Sequence, residues 1–133
     1  MNNVVCNAKK ILLAEDNAGV TKVVLAYLER EGFEAFHASN GEQALELIEL
    51  IKPDFIVLDI KMPKKDGLEV LKELREKYTT PVMIISAVDT NAVKLRAFEI
   101  GADDYMVKPF NPMELVTRIH VIFRRTDPAQ EHF

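Results

Sequence analysis

The stretch FIVLD, residues 55–59, decides the fold of this chain, because four consecutive apolar residues lead directly into a carboxylate. A short apolar run of this kind is typical of a central strand that is covered on both faces in a parallel sheet. Three further runs end in a similar way, namely ILLA (11–14) before Glu15 and Asp16, VMII (82–85) before Ser86, and YMV (105–107) before Lys108. Because the carboxyl ends of parallel strands meet at one edge of the sheet, these polar residues are expected to share one pocket.

Helix-like segments separate these runs, so strand and helix signals alternate five times. The predicted strands are residues 10–14, 34–37, 55–58, 82–85 and 105–107. Apolar residues recur at helical spacing in four of the intervening segments. They are Val20, Val23, Val24, Tyr27 and Leu28, then Ala44, Leu45, Ile48 and Ile51, then Leu68, Leu71 and Leu74, and finally Leu115, Ile119 and Ile122. The fourth helix, over residues 91–100, has only a thin apolar stripe of Val93, Ala97 and Phe98, so we expect a mobile element there.

Several residues are suited to the ends of these helices. Gly32 and Gly101 are predicted C-caps, because glycine adopts the backbone conformations that end a helix. Ser39 or Asn40 is the predicted N-cap of the second helix, and Pro112 is predicted to begin the last one.

Five strand-helix units of this length predict a doubly wound parallel sheet with right-handed crossovers. The spacing alone leaves open a Rossmann-like half or the flavodoxin-like strand order 2-1-3-4-5. The turn after the first strand reads AEDNAG, residues 14–19, and lacks the G-x-G-x-x-G pattern. Its two carboxylates stand where a dinucleotide pyrophosphate needs free backbone N–H groups, so nucleotide binding is not expected.

The composition indicates one ordinary domain. The chain has 133 residues, 48% apolar and 29% charged, enough to bury a core without disulfides. Its single cysteine, Cys6, favours a reducing compartment. With no apolar run near the roughly 20 residues of a membrane span and no signal-peptide pattern, a cytoplasmic location is expected. The net charge of -4 argues against nucleic-acid binding by these residues themselves.

The predicted domain boundaries follow from the same patterns. Residues 1–8 form an N-terminal tail, residues 9–125 the domain, and residues 126–133, TDPAQEHF, a linker or C-terminal tail. The histidines, His37, His120 and His132, are not spaced with cysteine or acidic residues in the manner of a transition-metal site.

Together, these motifs resemble the receiver domain of two-component response regulators across residues 9–125. The resemblance rests on Glu15-Asp16, Asp59 with Met62-Pro63 and Asp66-Gly67, Ser86-Ala87, the GADDY segment 101–105, and Lys108-Pro109-Phe110. It implies the flavodoxin-like (CheY-like) order 2-1-3-4-5 with five helices. Residues 94–125 are most similar to the OmpR/PhoB subfamily of winged-helix transcription regulators.

The resemblance implies a phosphoryl-transfer chemistry centred on Asp59. This residue would take a phosphoryl group from a sensor histidine kinase, with Mg²⁺, or Mn²⁺ in its place. The direct ligands would be Asp16, Asp59 and the backbone carbonyl of Lys61, while Glu15 would act through water. Three adjacent carboxylates repel one another, so at least one is expected to have a raised pKa when no metal is bound.

The remaining site residues implied by the resemblance contact the phosphoryl group or respond to it. Lys108, the hydroxyl of Ser86 and the backbone N–H of Ala87 would contact the phosphoryl oxygens. Ser86 and Tyr105 would form the switch, in which the hydroxyl moves toward the phosphoryl group and the aromatic ring turns inward. The alternative for Tyr105 is a half-exposed aromatic residue at the start of a strand. Such a protein phosphorylates itself and slowly loses the group, without turning over as a metabolic enzyme does.

A sharp turn is needed to bring the Lys108 ammonium back over the pocket directly after a strand. A cis peptide bond before proline makes such a turn at an intrinsic cost of only ~0.5 to 1 kcal/mol. We therefore predict that the Lys108-Pro109 bond is cis.

The resemblance also implies an output. In the OmpR/PhoB subfamily the face formed by the fourth and fifth helices pairs two phosphorylated domains, and here it carries Lys94, Asp103, Asp104, Glu114 and Arg118. DNA would be bound only through an output domain that is not in this chain. The alternatives are an ordinary solvated face, and a stand-alone phosphotransfer shuttle or protein-binding module. A phosphatase of the haloacid-dehalogenase type is disfavoured, because Lys61 occupies the position of its acid/base Asp.

Overall fold

The structure is a computed structural model that describes residues 8–126. Strands and helices alternate as predicted, in the order β1 (Lys10–Ala14), α1 (Ala18–Arg30), β2 (Glu34–Ala38), α2 (Gly41–Ile51), β3 (Phe55–Asp59), α3 (Gly67–Arg75), β4 (Val82–Ser86), α4 (Asn91–Ile100), β5 (Asp104–Val107) and α5 (Pro112–Thr126). Predicted strand ends agree to within one residue. No helix within the described range is long and apolar enough to cross a membrane. Cys6 and His132 lie outside that range, as do most residues of the two predicted tails.

The five strands form one parallel sheet in the order β2-β1-β3-β4-β5, which confirms the flavodoxin-like prediction. The chain runs from β1 outward to β2 and then crosses to β3 on the other side of β1. A crevice opens at the carboxyl ends of the strands where the direction of winding reverses in this way. The pairing of Asp59 with Ile85, and of Ser86 with Val107, sets the polar strand ends beside that crevice.

The sheet separates two apolar layers. On one face, strand residues such as Leu12 and Ile56 pack against α2, α3 and α4. On the other face, their neighbours Leu13 and Val57 pack against α1 and α5. Successive side chains of a strand point to opposite faces. The central strand β3 is apolar up to Asp59 and buried throughout, so it is the strand that two helical layers must cover.

Two predicted inward-facing residues were wrong. Val23 is 44% exposed and Phe98 is 45% exposed. Adjacent helical residues point about 100° apart, and the residues that face the sheet are Val24 on α1 and Ala97 on α4. Thr21 takes the inward place on α1 that the apolar pattern assigned to Val23. Ala97 is the one buried residue of α4, so the thin packing predicted for that helix is confirmed.

The helix ends mostly follow the predicted residues. Asn40 is the N-cap of α2, and its side chain accepts a hydrogen bond from the Gln43 N–H at 2.8 Å. Gly101 is the C-cap of α4, as predicted. The prediction for Gly32 was wrong by one position: Glu31 is the C-cap of α1, and Gly32 follows it with a φ of 90°. Glycine is needed there to reverse the chain into β2.

Candidate functional site

Three carboxylates meet at the crevice beside β1 and β3. Glu15 and Asp16 follow β1, Asp59 ends β3, and one carboxylate oxygen from each lies within 4.8 Å of the others. Glu15 is fully buried and Asp59 is 4% exposed, whereas Asp16 faces solvent. Carboxylate oxygens with access to water are the ligands that Mg²⁺ takes in proteins. The donor set therefore fits a hard divalent cation such as Mg²⁺ or Mn²⁺.

A single ammonium group enters this cluster from β5. Lys108 Nζ lies 2.7 Å from Glu15 Oε1 and 3.0 Å from Asp59 Oδ2. The Lys108-Pro109 bond is cis, as predicted. Burial lowers the pKa of Lys108, but the hydrogen bonds to Glu15 and Asp59 and their charges outweigh burial and raise that pKa above its ordinary value. Lys108 is therefore the fixed positive charge of the pocket.

The environment of Asp59 raises its pKa to about 6. Burial is the largest cause, and the charge of Glu15 adds to it, while the hydrogen bond from Lys108 acts in the opposite direction. The expectation that at least one carboxylate has a raised pKa agrees with this, although burial contributes more than the repulsion between carboxylates on which the expectation was based. A divalent cation would favour the ionised form of Asp59.

The loops after β3 and β4 line the rest of the pocket. The Lys61 side chain is exposed, and its backbone N–H lies 3.4 Å from Asp59 Oδ1. Ser86 is fully buried, and its hydroxyl accepts a hydrogen bond from the Val88 N–H at 2.9 Å. This bond holds the hydroxyl within its own loop. Ala87, the next residue, is exposed, and it lines the same surface groove as Lys108.

Tyr105 connects β5 to the loop between β4 and α4. Its ring is 7% exposed, and its hydroxyl donates a hydrogen bond of 2.7 Å to the backbone carbonyl of Val88. The alternative of a half-exposed aromatic residue is therefore wrong. Val88 N–H also donates to Ser86, so one loop residue contacts both members of the predicted switch.

The charges predicted for a dimer face are paired within the chain. Arg118 contacts Asp104 at 3.0 Å and Glu114 at 2.8 Å. Lys94 contacts Asp89 at 2.6 Å, and Asp103 contacts Arg75 at 3.2 Å. These charges are therefore not left without partners in the single chain. Two apolar side chains of α4 are also exposed, Leu95 at 63% and Phe98 at 45%.

An apolar groove of about 650 Å³ lies next to the acidic cluster, between α1 and the loop that follows β5. Its walls include Val20 and Val23 from α1 and Phe110 from the loop, and Lys108 lies at its edge. The sequence reasoning missed this groove because it assigned Val23 to the core. The sequence did contain a sign of it, because the apolar stripe of α1 is wider than the part of that helix that packs on the sheet.

His37 is a further residue of the site that the sequence reasoning missed. It lies on the edge strand β2, and its Nε2 is 2.7 Å from the backbone carbonyl oxygen of Glu15. The only signal in the sequence is a polar residue near the end of a strand. That signal does not identify the partner, because the contact depends on β2 lying next to β1.

A family profile described as the response regulator receiver domain matches residues 11–120, and the chain belongs to this family. Receiver domains of response regulators interact with histidine kinases and bind Mg²⁺ at an acidic pocket. The receiver-domain prediction is therefore confirmed, together with its flavodoxin-like fold.

Curated relatives are similar over nearly the whole chain. The chain is 44% identical over 122 residues to the alkaline phosphatase synthesis transcriptional regulatory protein PhoP of Bacillus subtilis (strain 168), covering 91% of this chain and 51% of that protein. It is also 44% identical over 122 residues to the transcriptional regulatory protein CpxR of Escherichia coli (strain K12), covering 92% of this chain and 52% of that protein. The chain thus spans about half the length of these relatives. Both relatives are named as transcriptional regulatory proteins, which agrees with the predicted similarity to transcription regulators.

Solved structures agree with the fold. The receiver domain of the Francisella response regulator 1452 superposes with a TM-score of 0.86 at 37% identity, covering 90% of this chain and 99% of that one. The BeF3-activated N-terminal receiver domain of Klebsiella pneumoniae RstA superposes with a TM-score of 0.81 at 31% identity, covering 85% of this chain and 97% of that one.

Proposed function

We propose that Asp59 accepts a phosphoryl group from a sensor histidine kinase in a Mg²⁺-dependent reaction, and that the phosphorylated domain controls an output. One observation carries the proposal. Asp59 is the buried carboxylate at the end of the central strand, and it has Lys108 Nζ at 3.0 Å and two further carboxylates beside it. This arrangement combines a nucleophile, a cation site and a fixed positive charge.

In the proposed reaction, a carboxylate oxygen of Asp59 attacks the phosphorus of the donor phosphohistidine. The new P–O bond forms as the P–N bond breaks, and the imidazole nitrogen keeps the electron pair, so that an aspartyl phosphate results. Asp16, Asp59 and the Lys61 backbone carbonyl, with Glu15 acting through water, would hold the Mg²⁺, which would supply positive charge for the phosphoryl oxygens when bound. Lys108 supplies one further positive charge from the protein.

The phosphoryl dianion brings one more negative charge than the carboxylate that it replaces. Hydrogen bonds donated by the Ser86 hydroxyl and the Ala87 N–H would stabilise this additional negative charge. The Ser86 hydroxyl accepts from Val88, and Val88 O accepts from Tyr105, so a movement of Ser86 changes the surroundings of Tyr105. This connection supports the proposed switch, which would bias two conformations of the face formed by α4, β5 and α5.

The output that we favour is transcription control in the cytoplasm, by a DNA-binding domain outside these residues. The names of the relatives, which are transcriptional regulatory proteins, support this choice. The alternative is a stand-alone phosphotransfer shuttle or protein-binding module. The coding sequence after Phe133 distinguishes them, since a winged-helix sequence would support the first and a stop codon the second.

The phosphorylation proposal is tested by incubation with acetyl phosphate and Mg²⁺. We expect the protein to gain one phosphoryl group, and excess EDTA to prevent the gain, because the acidic cluster needs a cation to bind a dianion. Intact-protein mass spectrometry at acidic pH measures the mass before and after incubation. Labelling that is unchanged by EDTA would refute the cation dependence, and an unchanged mass would refute the proposal itself.

We further propose that phosphorylation promotes a two-fold dimer through the face formed by α4, β5 and α5. Exposed Leu95 and Phe98 offer a small apolar patch, and the charges around it would set the register. The pairs of Arg118 with Asp104 and Glu114 lie within the chain, so pairing across the axis requires some of these charges to exchange partners.

Glu114→Lys is expected to weaken this dimer, because it would set a like charge opposite Lys94 of the second copy. Adding Lys94→Glu should partly restore association. Exposed ion pairs contribute only ~0.2 to 1 kcal/mol each, so the effect should be a few-fold and should shrink at high salt. Sedimentation equilibrium with beryllofluoride and Mg²⁺ at two salt concentrations measures it. A protein that stays monomeric under these conditions would favour the shuttle.

A further inference from the structure

His37 contacts the acidic cluster from the edge strand. Its Nε2 lies 2.7 Å from the Glu15 carbonyl oxygen and 3.3 Å from Thr21 Oγ1. A carbonyl oxygen can only accept, so Nε2 must carry the hydrogen in this contact. Both the neutral Nε2–H tautomer and the imidazolium have that hydrogen, so the contact does not depend on the charge of the ring.

The carbonyl that His37 binds belongs to the peptide group joining Glu15 to Asp16. Its orientation therefore affects both carboxylates that follow β1. The Glu15 N–H, on the other side of the residue, donates to the Ala38 carbonyl at 3.0 Å. Two consecutive residues at the end of β2 thus hold both backbone polar groups of Glu15.

The other contacts of Glu15 do not replace this hydrogen bond. Thr21 Oγ1 also lies near the Glu15 carbonyl, but at 3.4 Å, which is a weaker hydrogen bond. The Glu15 side chain accepts from the Asn17 N–H at 3.0 Å and contacts Lys108 at 2.7 Å. Those contacts hold the carboxylate end and leave the peptide group to His37.

We propose that His37 is a positioning residue for the cation site: its Nε2–H fixes the Glu15–Asp16 peptide so that both carboxylates lie within reach of the cation that Asp59 would also bind. The inference rests on the proposed function, since it concerns the same Mg²⁺ site. Groups that orient metal-binding residues typically change metal affinity by about 10 to 100-fold when they are removed. Because His37 acts on a backbone group, the low end of this range is expected.

Isothermal titration calorimetry, with Mg²⁺ titrated into the unphosphorylated protein, measures the Mg²⁺ dissociation constant and tests the proposal. His37→Val keeps a residue suited to a strand and removes the donor, and it is expected to raise the Mg²⁺ dissociation constant about tenfold. His37→Gln places an amide N–H near the position of Nε2, and it should restore affinity to within about threefold of the parent. This rescue identifies the donor, rather than the packing of the ring, as the cause.

Three comparisons make the result decisive. His120→Val removes a histidine on α5 that contacts Glu31 instead of the cluster, and its affinity should equal that of the parent. If circular dichroism shows that His37→Val is unfolded, His37→Phe keeps a ring without the donor and provides the same comparison.

A parent protein that does not bind Mg²⁺ would refute the proposed cation site. A parent that binds, with a folded His37→Val or His37→Phe of equal affinity, or a Gln variant as weak as these, would overturn the role of His37.

Discussion

The Asp59→Asn variant is expected to accept no phosphoryl group and to be more stable than the parent at pH 7 without divalent cations. The loss of phosphorylation follows because the amide is not a nucleophile of comparable strength and no other carboxylate ends the central strand. The gain in stability follows from the cost of burying a charge. Asp59 is 4% exposed, and Glu15, which is fully buried, lies beside it.

The sign of the pH dependence follows from the pKa of Asp59, which its surroundings, chiefly burial, raise from 3.8 to about 6 in the folded protein. The folded state therefore holds this proton more tightly than the unfolded state. The resulting stabilisation is present below pH 3.8 and is lost as the pH rises through about 6. At 1.36 kcal/mol per pKa unit, ionised Asp59 costs the folded parent roughly 3 kcal/mol at pH 7, and Asn avoids most of this cost.

Urea unfolding with EDTA at pH 7 and at pH 3.5 measures the difference. We expect Asp59→Asn to be about 1 to 3 kcal/mol more stable at pH 7 and nearly equal to the parent at pH 3.5, where Asp59 is protonated in the folded state and mostly protonated in the unfolded state. Added Mg²⁺ should narrow the gap at pH 7, because it binds the folded parent more tightly than the variant. Phosphorylation of the variant at the rate of the parent would show that Asp59 is not the acceptor. If Asp59→Asn were less stable than the parent at pH 7, burying the ionised Asp59 carboxylate would not destabilise the folded protein.

The strand ends were predictable because two physical constraints agree at each of them. A strand covered on both faces must be apolar, and the first polar residue after it must lie at the edge of the sheet. Asp59 and Ser86 are such residues, and the structure places both at the crevice. The strand order required the family resemblance, because spacing alone also allowed a Rossmann-like half.

The rotation of each helix was less predictable. A stripe of apolar residues limits the rotation of a helix about its axis only to a range. The element that packs against the helix decides which residue lies at the centre of the buried face. On α1 that residue is Val24, which leaves Val23 in the wall of the groove. On α4, Ala97 packs inward and Phe98 faces solvent. The Arg118–Asp104 ion pair was equally hard to predict, because opposite charges on α5 and β5 can pair within one chain or between two chains, and the sequence does not distinguish these cases.

Gly67 illustrates a requirement that neither periodicity nor composition reveals. It belongs to the motif by which the chain resembles receiver domains, but its physical role is visible only in the structure. A Cβ atom at Gly67 would lie 2.3 Å from the carbonyl oxygen of Asp59 and 3.0 Å from Cα of Ile60. The Gly67 N–H also donates to the Ile60 carbonyl at 2.8 Å. The first residue of α3 thus packs directly on the backbone of Asp59.

Gly67→Ala is therefore expected to destabilise the protein by about 3 kcal/mol, since overpacking against backbone cannot be relieved by a change of rotamer. It should also slow phosphorylation by acetyl phosphate, because the backbone of Asp59 must move to admit the methyl group. Urea unfolding measures the first effect. The rate of mass gain, under conditions where the variant is folded by circular dichroism, measures the second.

Gly19→Ala is the matched control, because it adds the same methyl group near the other end of the site. A Cβ atom at Gly19 would lie 3.3 Å from the side-chain oxygen of Asn17, a contact that a small side-chain movement relieves. Gly19 lies in α1, where alanine has the higher helix propensity by up to about 1 kcal/mol. We expect its stability to change by less than about 1 kcal/mol and its phosphorylation to match the parent. If Gly67→Ala behaved like Gly19→Ala in both measurements, the close approach of α3 to Asp59 would not constrain the site, and the position of the carboxylate would have to depend on β3 alone.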